Sequence, residues 1–164
     1  MTSGVILQVN VSRGGIPKRP VLHGDVGLDG VAGDSWDHPN IHGGTKQAIL
    51  LVTAEGIEEL KALGFHLYPG ALGENFTTQG LDRRALRIGQ RFRAGEAIIQ
   101  LTKLRSPCAT LDVHGRGIQK AMMDARAAAR DPTSPRWGLS GFYASVVQPG
   151  IVRAGDTIAL VEPS

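Results

Sequence analysis

Twenty-two glycines and nine prolines are scattered along the whole chain of 164 residues instead of being gathered in one linker. That spacing leaves few uninterrupted stretches for long helices and suits many short strands joined by tight turns. Hydrophobic residues make up 41% and charged residues 20%, the balance of an ordinary globular protein with one sizeable core. The reading is therefore one domain over residues 1–164.

Alternation marks the strands. Val5, Leu7, Val9 and Val11 read as one face of a first strand. Ser12 to Pro20 reads as a Gly/Pro loop, and Gly24 to Gly33, with four glycines, as a loop or bulged strand. Gln47 to Thr53 is a continuous apolar strand. Thr53 can cap a helix with Glu55 in its first turn, core residues Ile57, Leu60 and Leu63, and Gly64 as its stop. Phe76 to Thr78 is extended, and Arg91–Arg93 and Ala97–Thr102 form a hairpin around Ala94-Gly95-Glu96. Ile118, Ala121, Met122 and Ala125 stripe a second helix, ended by Asp131-Pro132. Leu139–Val147 and Thr157–Val161 close the chain, with Pro149-Gly150 as the turn between them. Arg93-Ala94-Gly95-Glu96-Ala97-Ile98 is echoed by Arg153-Ala154-Gly155-Asp156-Thr157-Ile158, two turns entering strands at equivalent corners. The expected fold is mainly β, a Greek-key barrel with two or three short α-helices.

Function has to pass through few residues. The one cysteine, Cys108, cannot form an internal disulfide or a multi-cysteine metal cage. It can act as a single soft ligand, a nucleophile or a sulfur carrier, or it can be a small buried hydrophobe. Arg105, three residues before it, favours thiolate, and Pro107 fixes the backbone at the sulfur. Two other segments are rich in groups that suit a polar ligand. Asp34 precedes His42-Gly43-Gly44-Thr45-Lys46, whose glycines expose N–H groups and whose lysine suits a phosphate; alone, it is also a Gly-Gly turn feeding a strand. Gly70 to Thr78 carries glycines, Glu74, Asn75, Thr77 and Thr78, which suit a ligand with many acceptors or a bulged strand with Asn75 bonded to backbone. Thr102 and Asp112 flank the cysteine segment. His23, His38, His42, His66 and His114 are scattered without the paired spacing of a zinc site, and a dyad of Cys108 with His114 is conceivable, though nothing in sequence distance supports it.

The charge of +3, with a pI near 9.4 and 5% aromatic residues, suits a small anionic ligand and gives no basic face with stacking aromatics for nucleic acid. No stretch of eighteen apolar residues spans a membrane, and no leader pattern is visible, so a cytoplasmic protein is expected.

In order, the chain shows Gly30-Val31-Ala32-Gly33-Asp34, His42-Gly43-Gly44, Gly73-Glu74-Asn75-Phe76-Thr77-Thr78-Gln79-Gly80-Leu81, Ile88-Gly89-Gln90-Arg91-Phe92-Arg93 and Arg105-Ser106-Pro107-Cys108. This series resembles the MOSC domain, the module also found at the C-terminus of molybdenum cofactor sulfurases. The resemblance implies a β-barrel and a molybdenum cofactor (Mo-pterin) site. In it Cys108 would be the catalytic residue and metal ligand, giving its sulfur to molybdenum or carrying it as persulfide. Lys46 and Arg105 would hold the pterin phosphate, Asn75, Thr77 and Thr78 would touch the pterin or dithiolene, and His42, Gly43 and Gly44 would line the site. Asp34, Glu74, Thr102 and Asp112 would support those groups. The chain shows none of the pyridoxal-phosphate desulfurase, iron–sulfur or added β-domains of larger relatives, and has Gly89-Gln90 where relatives often have Gly-Asp. A separate reductase or sulfur-donating desulfurase is therefore the expected partner. The implied activity is reduction of small N-hydroxylated compounds; a persulfide carrier or cofactor delivery module is the other role the resemblance allows.

Overall fold

The computed structural model describes residues 2–35 and 45–161. Eleven strands are described: β1 (Ser3–Val11), β2 (Arg19–Val21), β3 (His23–Gly27), β4 (Gly30–Val31), β5 (Ile49–Thr53), β6 (Phe76–Gln79), β7 (Arg91–Ala94), β8 (Ala97–Leu104), β9 (Phe142–Gln148), β10 (Gly150–Arg153) and β11 (Thr157–Leu160). Seven close into a barrel in the order β1-β11-β7-β8-β9-β5-β6, with β6 returning to β1 and β2 hanging from β1. The remaining three form a small annex, β10-β3-β4. The described pairings are antiparallel apart from β5–β6, whose parallel step needs a long crossover. This is the mainly β barrel with non-sequential neighbours that the sequence led to.

The crossover from β5 to β6 builds a second layer. Thr53 ends β5 and accepts the Gly56 N–H at 3.0 Å, starting helix α1 (Ala54–Ala62) as its N-cap. Ile57 and Leu60 are buried, whereas Leu63, read as a core position, is the C-cap and is exposed. Their partners are Val52 on the barrel's outer wall, Leu67, Leu72, Leu111, Ile118, Met122 and Leu139. The barrel interior is filled separately by Ile6, Val9, Phe76, Phe92, Ile99, Leu101, Phe142 and Ile158. Side chains of this size contribute about 1.5–3 kcal/mol each when fully buried, so both layers are held by ordinary apolar packing.

Four local expectations are corrected. In β1 the inward residues are Ile6 and Val9, while Val5 and Leu7 face out; a register shift against β6 between Ile6 and Gln8 breaks the alternation. The Ser12–Pro20 loop ends in β2, and Gly24–Gly33 is largely the β3–β4 hairpin. The second helix is two short ones, α2 (Ile118–Met122) and α3 (Ala125–Ala128), because Met123 is extended and the Asp124 side chain caps a new start on the Ala127 N–H. Gly150 opens strand β10, which lies between β9 and β11 along the chain. The two echoed segments touch, the Gly95 N–H donating to the Thr157 carbonyl at 3.2 Å, and the neighbouring Glu96 N–H donates to the Ile151 carbonyl at 3.0 Å.

Candidate functional site

Strand β8 delivers the cysteine. It ends at Leu104, buried in the barrel, and the chain then leaves through Arg105. Arg105 is fixed to the Gly138–Gly141 turn: its N–H donates to Gly141 at 2.9 Å and its carbonyl accepts from the Ser140 hydroxyl at 2.6 Å. Cys108 follows as the residue before a 3-10 turn, Ala109–His114, and its carbonyl takes the Leu111 N–H at 3.0 Å. Leu111 anchors this turn in the outer apolar layer. The Cys108 side chain is half-buried.

The Arg105 side chain is buried, and its Nη1 donates to the Leu72 carbonyl at 2.7 Å. That is its one side-chain hydrogen bond among the described residues; the other guanidinium N–H groups have no partner among them. Burial pulls its pKa below the ordinary arginine value, opposed by Tyr143, Cys108 and Glu74, all within electrostatic reach. Arginine stays charged at any ordinary pH. The contact with Leu72 joins the cysteine segment to the Gly-Glu-Asn segment, so the two most specific motifs of the sequence are neighbours.

The Gly70–Thr78 segment is held from within. Gly73 has φ +85°, and Gly70 has φ +94°, conformations that side chains rarely adopt. Glu74 is buried; its Oε2 accepts from Gly70 N–H at 3.0 Å and the Thr77 hydroxyl at 2.8 Å, while Oε1 has no partner. Burial raises its pKa above the usual carboxylate range, against the pull of those hydrogen bonds and of Arg105. Asn75 brackets two strands. With Leu50 it exchanges a backbone bond at 2.9 Å and a side-chain bond at 3.0 Å; with Asn10 it exchanges bonds at 2.8 and 3.2 Å. Its Nδ2 also donates to Asp34 Oδ2 at 2.8 Å. Asp34 Oδ1 accepts from Lys18 Nζ at 2.6 Å and Ser12 N–H at 2.9 Å. Asp34 and Glu74 thus order loops.

The other expected residues divide. Thr77 turns outward, accepting from Asn10 Nδ2 at 3.2 Å and donating to Glu74. Thr78 alternates with it, and its sealed hydroxyl has no partner. Thr102 donates to the Lys46 carbonyl at 2.5 Å, tying the exposed lysine to β8. Asp112 is exposed on the 3-10 turn and accepts from Gln119 at 3.1 and 3.3 Å. His114 is held by the Ala71 carbonyl at 2.6 Å, which fixes a proton on Nε2 and gives the ring a structural partner instead of Cys108. His42, Gly43 and Gly44 lie outside the described residues. Among the described residues no three His, Cys, Asp or Glu side chains group closely enough to hold an ion, and no helix is long and apolar enough to cross a membrane.

Tyr143 was missed in the sequence. It pairs with Lys103 across β9 and β8 and with Leu50 across β9 and β5, and it sits near Arg105 and Cys108. Burial raises its phenol pKa, with Arg105 opposing and Cys108 adding. The available signal was alternation: Phe142 and Ala144 face inward, so Tyr143 faces out. Nothing in the spacing ties it to Cys108.

A family model for the MOSC domain matches residues 38–159. Protein YiiM of Escherichia coli is 31% identical over 136 residues, 80% of this chain and 56% of that protein. Uncharacterized protein YflK of Bacillus subtilis is 31% identical over 123 residues, 73% of this chain and 50% of that protein. The chain therefore spans about half the length of these curated relatives. Among solved structures, YiiM from Geobacillus stearothermophilus superposes with a TM-score of 0.73 at 27% identity, covering 97% of this chain and 75% of that one. The YUAD protein of Bacillus subtilis, at 21% identity, TM-score 0.70 and coverage of 99% and 98%, is alike in fold.

Proposed function

The chain belongs to the MOSC family, whose domains are associated with molybdenum cofactor binding, and on that premise we propose that it is a molybdenum-dependent reductase of N-hydroxylated compounds with Cys108 as the metal's protein ligand. The observation that carries this reading is the half-buried Cys108 beside the buried Arg105, whose guanidinium has N–H groups to give. The donor set suits the cofactor. A single thiolate is a soft ligand for a metal that brings its own pterin sulfurs, and a planar cation next to it suits the pterin's phosphate. Lys46, exposed beside Thr102, suits the same phosphate.

When bound, the cofactor supplies two-electron reduction at molybdenum. The chain's own part is to hold and orient. Glu74, Thr77 and Gly70 fix the loop that fixes Arg105 through Leu72, and the Ser140 and Gly141 contacts fix the backbone leading to Cys108. The net change is N–O bond cleavage: R–NHOH, two electrons and two protons give R–NH2 and water. A separate reductase supplies the electrons.

Protein from a cofactor-competent host is expected to contain molybdenum by elemental analysis. Cys108→Ser is expected to lower the content more than tenfold, since even a residue supporting a ligand is worth roughly 10–100-fold in metal affinity. Wild-type protein without molybdenum, or a serine variant that keeps it, would overturn the reading. The half exposure of Cys108 also supports the other role, a carrier of persulfide or cofactor; intact mass would then show one reducible extra sulfur on the wild type and none on the serine variant.

A further inference from the structure

Tyr143 projects from the outer wall of the barrel between two inward residues, yet it is only 8% exposed. A tyrosine buried to this extent ordinarily finds a hydrogen-bond partner for its hydroxyl. Here the hydroxyl makes none among the described residues. It is not sealed either: the sealed polar side-chain atoms without partners there are Glu74 Oε1 and Thr78 Oγ1. The Lys103 ammonium lies over the ring, 5.5 Å from its centroid, and Tyr143 is within electrostatic reach of Arg105 and Cys108, where β8 leaves the barrel beside it. Two neighbouring polar groups, one phenol and one guanidinium, therefore carry unused donors at the cysteine. Donors that no described protein group uses, open beside a half-buried thiol, are free to meet an acceptor that arrives from outside.

We infer that the Tyr143 hydroxyl donates a hydrogen bond to the N–O oxygen of the bound substrate and so makes the site distinguish N-hydroxylated compounds from their reduced products. This deepens the reductase reading and rests on it. A site built to hydrogen-bond a substrate hydroxyl rejects the analogue that lacks it, because the protein's polar group is then left unpaired. A phenol ordinarily titrates at about 10, so Tyr143 is a donor through the neutral range. Once the oxygen departs as water, the product offers Tyr143 nothing, and its release is favoured.

The test uses molybdenum-loaded wild type and Tyr143→Phe, without an electron donor, titrated by calorimetry with an aryl N-hydroxyamidine and with the parent amidine. Wild type is expected to prefer the hydroxylated compound, and the variant to lose about tenfold of that preference, the worth of one ordinary hydrogen bond. Molybdenum content is expected to be equal in the two proteins. The melting temperature of the cofactor-free variant is expected to equal or exceed that of wild type, because no protein partner is lost. A variant that keeps the full preference overturns the assignment and leaves the reductase reading standing. A clearly lowered melting temperature overturns it as well, by revealing a structural partner for the hydroxyl. Loaded wild type that binds neither compound overturns the reductase reading and the assignment with it.

Discussion

Glu74 is a fully buried carboxyl with one oxygen unpaired among the described residues. Burial, the largest influence on it, raises its folded pKa above the unfolded value. Its contribution to stability is therefore fully present below the unfolded pKa, about 4.3 for glutamate, and is lost as pH rises through the folded value. Glu74→Gln keeps the shape and removes the titration. Urea unfolding at stepped pH is expected to show wild type losing stability relative to the variant between pH about 4 and neutrality; a difference constant with pH would contradict this. At this scale the sequence marked the loop but not its internal bonding. Gly73-Glu74-Asn75 and Arg105 to Cys108 were legible as motifs, and the structure makes them neighbours through Leu72. That Asn75 is used up in bonds to Leu50, Asn10 and Asp34 was not legible, because all three partners are remote in sequence. Tyr143 was hidden for the same reason.

Elements follow local patterning until a tertiary contact overrides it. Strand β5 and the start of α1 were readable from an apolar run and a threonine cap, and the Gly56–Thr53 bond delivers that cap. The face of β1 was not, since the irregularity between Ile6 and Gln8 is a property of its pairing with β6. The break at Met123 was hidden by an apolar stripe that continues across it. The segment between α1 and β6 depends most on one glycine. Gly70 combines φ +94° with a backbone pressed against Lys18, whose N–H donates to the Gly70 carbonyl at 2.9 Å. A Cβ there would run into the Lys18 carbonyl oxygen. Gly70→Ala is expected to cost about 3 kcal/mol or more in chemical denaturation, from strain and displacement together. A loss below about 1 kcal/mol, the scale of an ordinary glycine effect, would mean that the loop yields freely.

For the whole molecule, the annex and the barrel share one interior. Val26, Val31 and Val152, from β3, β4 and β10, pack in the same cluster as Phe92 and Phe142 of the barrel. Trp137 closes this cluster at one end, its Nε1 donating to Leu86 at 2.8 Å and its ring edge-on to Phe142 at 5.9 Å. Barrel and annex are therefore expected to unfold together. Far-ultraviolet circular dichroism and tryptophan fluorescence should give coincident midpoints in urea; an earlier step in either signal would show that one part opens alone. The barrel itself was legible from glycine spacing and short alternating runs. Its closure was not: β1 meets β11 from the far end of the chain, a long-range pairing that local pattern cannot encode.

Asn75 gives as many bonds to each neighbour as a strand residue gives through its peptide groups alone, and it does so to both sides at once. It works as a locking pin at the point where β6 enters the wall. A disturbance in what precedes it, from Phe65 to Gly73, therefore need not slide Phe76 to Gln79 against their neighbours. Strain at Gly70 is thus contained at the rim, and the cylinder beneath keeps its alignment.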